Sequence, residues 1–171
     1  YYEDLRVVEN EEGQPELGFA SLDVARDFGM AALRCARIYI ADEDRYAMQI
    51  LSELLRAALS FGVLREADLY TTETAVIEKL NADPRTEAAW AYYRSLSRIK
   101  CAQSPEGAGL WRQIRVKRRY MDPLVFGRGR VSTVFPQHRA ALESYLSEDL
   151  REWLCGPPLP PEAAAIMEAR I

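Results

Sequence analysis

The chain has 171 residues, 49% of them hydrophobic and 28% charged, with a net charge of -4. That is ordinary globular composition, and the length suffices to bury a core without disulfide staples. No run approaches the roughly 20 consecutive apolar residues of a membrane-spanning helix, and the single histidine, His138, excludes a metal centre built from several imidazoles.

The start, Tyr1-Tyr2-Glu3-Asp4, has neither an initiator Met nor the charged and apolar regions of a secretory signal, and reads as a segment of a longer protein. Leu5-Arg6-Val7-Val8 predicts a short strand, Glu9 to Pro15 an acidic turn, and Leu17-Gly18-Phe19 a second extended piece. Ser21 is placed to cap a helix with Asp23 in its first turn. Leu22, Ala25, Phe28, Ala32, Cys35 and Tyr39 recur at three- and four-residue spacing, one apolar stripe of a helix running to about Ala41. Asp42-Glu43-Asp44 opens a further helical stretch, either separate or the far side of a kink. Tyr46, Ile50, Leu54, Ala57, Ala58 and Phe61 form its inner face, and Gly62 ends it. Thr71 or Thr72 caps a short helix over 74–80. Asp83-Pro84 starts another, which spans Arg85 to about Ala102 and turns Ala89, Tyr92, Tyr93, Leu96 and Ile99 inward.

After Pro105 and the Gly107-Gly109 turn the character changes. Gln113-Ile114-Arg115-Val116-Lys117-Arg118 alternates polar and apolar residues and predicts a half-exposed strand. Val131 to Val134 is its expected partner, beyond turns at Asp122-Pro123 and Gly127-Arg128-Gly129. Pro136 to Leu150 predicts a last helix with Ala140, Ala141, Leu142, Tyr145 and Leu146 inward. Gly156-Pro157-Pro158-Leu159-Pro160-Pro161 is a rigid breaker, followed by a short helix or a tail. The expected fold is mainly α, a helical bundle with a short β-hairpin or small antiparallel sheet. Residues 1–150 form one domain with a basic strand segment at about 112–134, and 151–171 form a Pro-rich C-terminal appendage.

The chemistry-bearing motifs are few. There is no phosphate-cradling glycine loop and no nucleophile elbow. Cys35, Cys101 and Cys155 are far apart and odd in number, which predicts solitary reduced thiols and a cytoplasmic setting. Pairing one of them with His138 as a nucleophile is the weaker reading. Adjacent helical residues point apart, so Asp42-Glu43-Asp44 reads as a solvated first turn and not a metal site. Trp90, Tyr92 and Tyr93 fall at core spacing and read as packing.

The charge is uneven. From Arg112 to Arg130 stand seven cations (Arg112, Arg115, Lys117, Arg118, Arg119, Arg128 and Arg130) against Asp122, a net of +6 that leaves -10 for the rest. Strand alternation sets Arg115, Lys117 and Arg119 on one side at about 6–7 Å intervals, the spacing of a polyphosphate or nucleic-acid backbone, and Arg forks suit phosphate. Arg118, Arg128 and Arg130 complete the candidate anion-binding set. The same strip also fits an edge strand guarded by charge, or a surface that docks on an acidic partner. Trp111, Tyr120 and Phe126 are placed either to stack bases or to fill a core.

The order of segments is familiar. Leu5-Arg6-Val7-Val8-Glu9, an acidic turn and Leu17-Gly18-Phe19 lead into a long helix containing Ala36-Arg37-Ile38-Tyr39. A helix from Tyr46 to Phe61 ends in Gly62-Val63-Leu64, and an Asp68-Leu69 connector precedes the helix from Thr72 to Leu80. With Val116-Lys117-Arg118-Arg119-Tyr120-Met121-Asp122-Pro123-Leu124-Val125, this resembles the region that follows the metal-binding core of HD-type phosphohydrolases, the superfamily of deoxynucleoside triphosphate triphosphohydrolases. The resemblance spans most of residues 3 to 146 and rests on loose patterns of apolar residues and turns.

The resemblance implies a C-terminal accessory or regulatory part of a metal-dependent phosphohydrolase acting on nucleotides or another phosphoester. The His and Asp ligands of its divalent metal (Mn, Mg or Fe) would precede Tyr1, so the fragment alone would not be an enzyme. Implied partners are the parent chain's HD core, a second copy in a homo-oligomer and a nucleotide, with nucleic acid disfavoured by the acidic remainder and no membrane. Arg37 and Tyr39 would wall the substrate pocket. One departure stands out: many relatives carry Tyr-(aromatic or Gln)-His-Lys where this chain has Tyr39-Ile40-Ala41-Asp42. An acid where a phosphate-binding cation belongs implies a different phosphoester, or a parent that has lost activity. The alternative is a non-catalytic nucleotide- or nucleic-acid-binding or oligomerisation module that uses the basic strip.

Overall fold

Glycines and short polar side chains cut the chain into the elements that the apolar periodicity announces. In the computed structural model, which describes residues 1–167, these begin with β1 (Leu5–Glu9), β2 (Pro15–Phe19), α1 (Leu22–Ile40) and α2 (Asp42–Ser60). A 3-10 turn (Glu66–Tyr70), α3 (Glu73–Ala82), α4 (Pro84–Ser95), β3 (Lys100–Ala102) and β4 (Trp111–Gln113) come next. The rest is β5 (Leu124–Val125), β6 (Gly129–Arg130), α5 (Val131–Val134), α6 (Pro136–Ser147), β7 (Trp153–Cys155) and α7 (Pro161–Met167). The fold is mainly helical, as the sequence predicts, and carries two small sheets. None of the described helices is long and apolar enough to cross a membrane.

The elements cluster into two units. The first joins Tyr1–Ile40 to Val116–Leu150; the second joins Ala41–Arg115 to the residues from 151 on. In the first, Asn10 Oδ1 accepts from the Glu12 and Gln14 N–H groups at 3.0 and 2.9 Å and closes the β1–β2 hairpin. β2 then pairs in parallel with β5, and β5 antiparallel with β6, in the order β1-β2-β5-β6. Phe19, Ala25, Val125 and Val131 form one apolar cluster; Leu33, Ala36, Ile40, Leu142 and Tyr145 form another.

The second unit has one large core. Tyr46, Ile50, Leu54, Ala57 and Ala58 are fully buried along α2, as the spacing predicts, while Phe61 at its end is exposed. Thr72 accepts from the Ala75 N–H and caps α3, and Asp83 caps α4 with Pro84 at its first position. Strands β3, β7 and β4 form a separate antiparallel sheet in that order. The proline run does not detach the helix after it: Ala163, Ile166 and Met167 of α7 are buried in this core. Positions 168–171 of the expected appendage lie outside the described residues.

Several expectations need correction. Helix α6 ends at Ser147 rather than Leu150, and Ala140 and Leu146 of its expected inner face are exposed. Helix α4 stops at Ser95, where Leu96 turns extended (ψ 115°), and 100–102 pairs with β7 as a strand. The strand expected over 113–118 keeps its ladder only through Gln113, because β7 offers three residues, although Ile114 N–H still reaches the Glu152 carbonyl at 2.8 Å. Val131–Val134 is a helical turn and not a strand: the Asp122 carboxylate takes the Ser132 N–H at 2.9 Å, and Phe135 N–H closes on the Val131 carbonyl at 2.8 Å. These contacts outweigh the β-propensity of two valines and a threonine. The buried stripe of α1 is Ala25, Gly29, Leu33, Ala36 and Ile40, so Cys35 and Tyr39 face outward. Two stripes with helical spacing run along this helix, and the one passing through a glycine carries the fainter apolar signal.

Candidate functional site

The first unit holds a half-open groove of about 670 Å³, within the ~300–1,000 Å³ of small-molecule sites. The hairpin contributes Leu17 and Phe19, α1 contributes Phe28, and the irregular stretch before β5 contributes Tyr120 and Met121. Tyr1, Leu5, Pro123 and Leu142 extend the apolar walls.

Its polar end gathers Glu16, Asp122 and Arg130. The parallel pairing of β2 with β5 and the β5–β6 turn bring these three together. Arg130 Nη1 and Nη2 donate to Glu16 Oε1 and Oε2 at 3.0 and 2.9 Å, and Nη1 also to the Asp122 carbonyl at 2.9 Å. Its Nε lies 3.1 Å from Glu11 Oε1. This fork holds the Glu16 carboxyl below its usual range, chiefly by hydrogen bonding.

Asp122 accepts the Ser132 N–H at Oδ1 and the Ser132 hydroxyl at Oδ2. Behind it, His138 of α6 is fully buried, with Nε2 3.5 Å from Asp122 Oδ1 and neither ring nitrogen hydrogen-bonded among the described residues. Burial pushes the imidazole pKa below 6.5, against the pull of Asp122, so the ring is neutral at pH 7. A Cβ on Gly29 of α1 would fall 2.7 Å from His138 Cε1; the ring fits because that side chain is missing. The aspartate stands between serine and histidine, so the three do not form a nucleophile relay, in which histidine must stand in the middle.

The residues singled out from sequence lie in various settings. Arg37 Nη1 is 2.9 Å from Glu148 Oε2, and Nη2 donates to Ser144 Oγ at 3.3 Å. Tyr39 is 66% exposed at the end of α1, and neither it nor Arg37 lines the groove. Arg118 donates to the Tyr145 and Glu148 carbonyls, Arg112 closes on Glu53 at 2.8 Å, and Arg130 is held as above. Arg115, Lys117, Arg119 and Arg128 are exposed and make no ion pair among the described residues. Three of those four belong to the first unit and Arg115 to the second.

Acidic residues of each unit offset the charge excess of the strip. The first unit carries ten Lys and Arg against twelve Asp and Glu, the second twelve against fourteen, so each is -2.

Sequence reasoning missed Glu16, Asp122 and His138. Glu16 fell between the acidic turn and the second extended piece, and Asp122 read as turn punctuation. The spacing of His138, Leu142 and Tyr145 is the one signal that marked histidine as inward. Among the described residues no group of three or more His, Cys, Asp and Glu is placed to hold a metal ion. No protein-family model, no curated protein and no solved structure matches this chain.

Proposed function

We propose that this chain is the helical accessory region of a metal-dependent, HD-type phosphohydrolase acting on nucleotides or another phosphoester. The observation that carries the reading is element order. A hairpin, two successive helices of 19 residues each, a 3-10 connector and a short helix succeed one another, the order the resemblance requires. The divalent metal belongs to a core outside this chain, where it activates water for attack at phosphorus. This region supplies pocket wall and oligomer contacts, with Tyr39 exposed to meet such a core. Ala41 and Asp42, standing where relatives have His and Lys, favour a substrate other than a nucleoside triphosphate.

The test sets this chain beside a longer protein that contains it. Both are assayed for phosphate, pyrophosphate and triphosphate release from a nucleotide panel, with Mn²⁺ and with chelator. Release by the longer protein alone, abolished by chelator, supports the reading. Silence of the longer protein across the panel, or release by this chain alone, contradicts it.

A second reading rests on Lys117, Arg119 and Arg128 of the first unit, exposed cations of the strip that form no ion pair among the described residues: a surface for a nucleotide or nucleic acid. Phosphate-contact binding would fall steeply with rising salt. The net charge of -2 on each unit opposes it.

A further inference from the structure

We infer that the groove of the first unit binds a small organic cation, an ammonium or amidinium carried on an apolar or aromatic body. Asp122 carries the inference. Its side chain is 12% exposed, and its oxygens are met by the Ser132 N–H and hydroxyl. Among the described residues its one ionisable partner within 4 Å is His138, a buried and neutral ring. A carboxylate drawn out of water without a counter-charge is costly, and a ligand cation supplies that charge.

Arg130 does not serve the opposite kind of ligand, because its fork is already closed on Glu16, Glu11 and the Asp122 carbonyl. The polar end has two carboxylates, Glu16 and Asp122, to one guanidinium. An anion would meet an acidic wall there. The rest of the groove suits the body of such a ligand. Phe19, Phe28 and Tyr120 line it, and aromatic rings attract a desolvated cation as well as an apolar frame. The volume of about 670 Å³ fits one such molecule and not a polymer.

This inference is independent of the phosphohydrolase reading, and its test contains no phosphoester. The chain is titrated by calorimetry with 2-phenylethylammonium, with neutral 2-phenylethanol and with phenylacetate. The ammonium is expected to bind at least about tenfold tighter than the alcohol, the scale of one charge-assisted contact, and phenylacetate not to saturate. Asp122→Asn should erase the preference for ammonium over alcohol, with circular dichroism confirming that the variant is folded. Because that change also loosens Ser132, Met121→Lys on the exposed rim gives a second arm. It sets a competing ammonium at the mouth and should weaken binding at least about tenfold. Equal affinity for ammonium and alcohol, tighter binding of phenylacetate, no saturable ammonium binding, or full affinity in a folded variant of either kind overturns the inference.

Discussion

In the second unit the buried polar groups close on one another. The Tyr46 hydroxyl donates to the Leu110 carbonyl at 2.7 Å and lies 3.3 Å from the Tyr92 hydroxyl, and Arg45 reaches Asp42 at 2.6 Å and the Ile114 carbonyl at 3.0 Å. Among the described residues its orphans are the indole N–H groups of Trp90 and Trp111. In the first unit the core is split into two small clusters, a groove opens beside one of them, and a whole imidazole is buried with no hydrogen-bond partner among the described residues. The second unit is packed for stability. The first retains a cavity and an under-compensated carboxylate–imidazole pair, features that cost stability and that cluster where proteins bind ligands.

Substitutions put that contrast at risk. The largest effect belongs to Leu54→Ala, at a side chain with no exposure in the large core; the loss should be about 2–5 kcal/mol. Leu142→Ala, in the smaller cluster and already slightly exposed, should cost less, and urea denaturation of both variants ranks them. A reversed ranking would undo the contrast. Next comes Gly29→Ala, whose Cβ meets His138 at 2.7 Å and Pro123 Cδ at 3.2 Å; overpacking of this kind costs ~1–3 kcal/mol, read as a drop in the urea midpoint.

A pH effect is next in size. His138 has a folded pKa below its unfolded value of 6.5, so the unfolded chain takes up that proton first. Its contribution is intact above pH 6.5 and declines as pH falls below it, by at most about 1.4 kcal/mol per pH unit for one group. Denaturation between pH 7 and 5 should show this decline, and His138→Leu should remove it. The second unit answers in a different window. Asp83, held at about 2 by hydrogen bonds from Arg85, keeps its contribution above pH 3.8 and loses it as pH falls toward 2. The smallest effects separate neighbours on the strip. Arg118→Ala removes bonds to two carbonyls and should cost ~1 kcal/mol, whereas Arg119→Ala, at an exposed side chain, should stay within about 0.5 kcal/mol in thermal melts.

Much of the fold was legible where periodicity and caps agreed. The α2 face, the Asp83-Pro84 start and the Gly62 stop (φ +70°) all come from local rules. Even the alternation over 114–119 is real: Ile114, Val116 and Arg118 are half-buried while Arg115, Lys117 and Arg119 are exposed, although no ladder runs there. The features that were not legible depend on distant pairing. The first unit joins segments more than 70 positions apart, which no local pattern encodes. Val131–Val134 becomes helical because Asp122 holds Ser132, and Arg130 closes on Glu16 because the β2–β5 pairing brings that carboxylate to it. The site was least legible of all, since an aspartate in an Asp-Pro turn and one histidine in a helix carry no mark of their meeting.

The contrast between the units is tested most directly by backbone amide NMR of this chain titrated with 2-phenylethylammonium. Shifts should cluster at residues 16–19, 120–125 and 130–132 of the first unit, while the amides of α2 and α4 stay in place. Shifts concentrated in α2, α4 or the β3-β7-β4 sheet would contradict the contrast and place the binding surface in the unit assigned as scaffold.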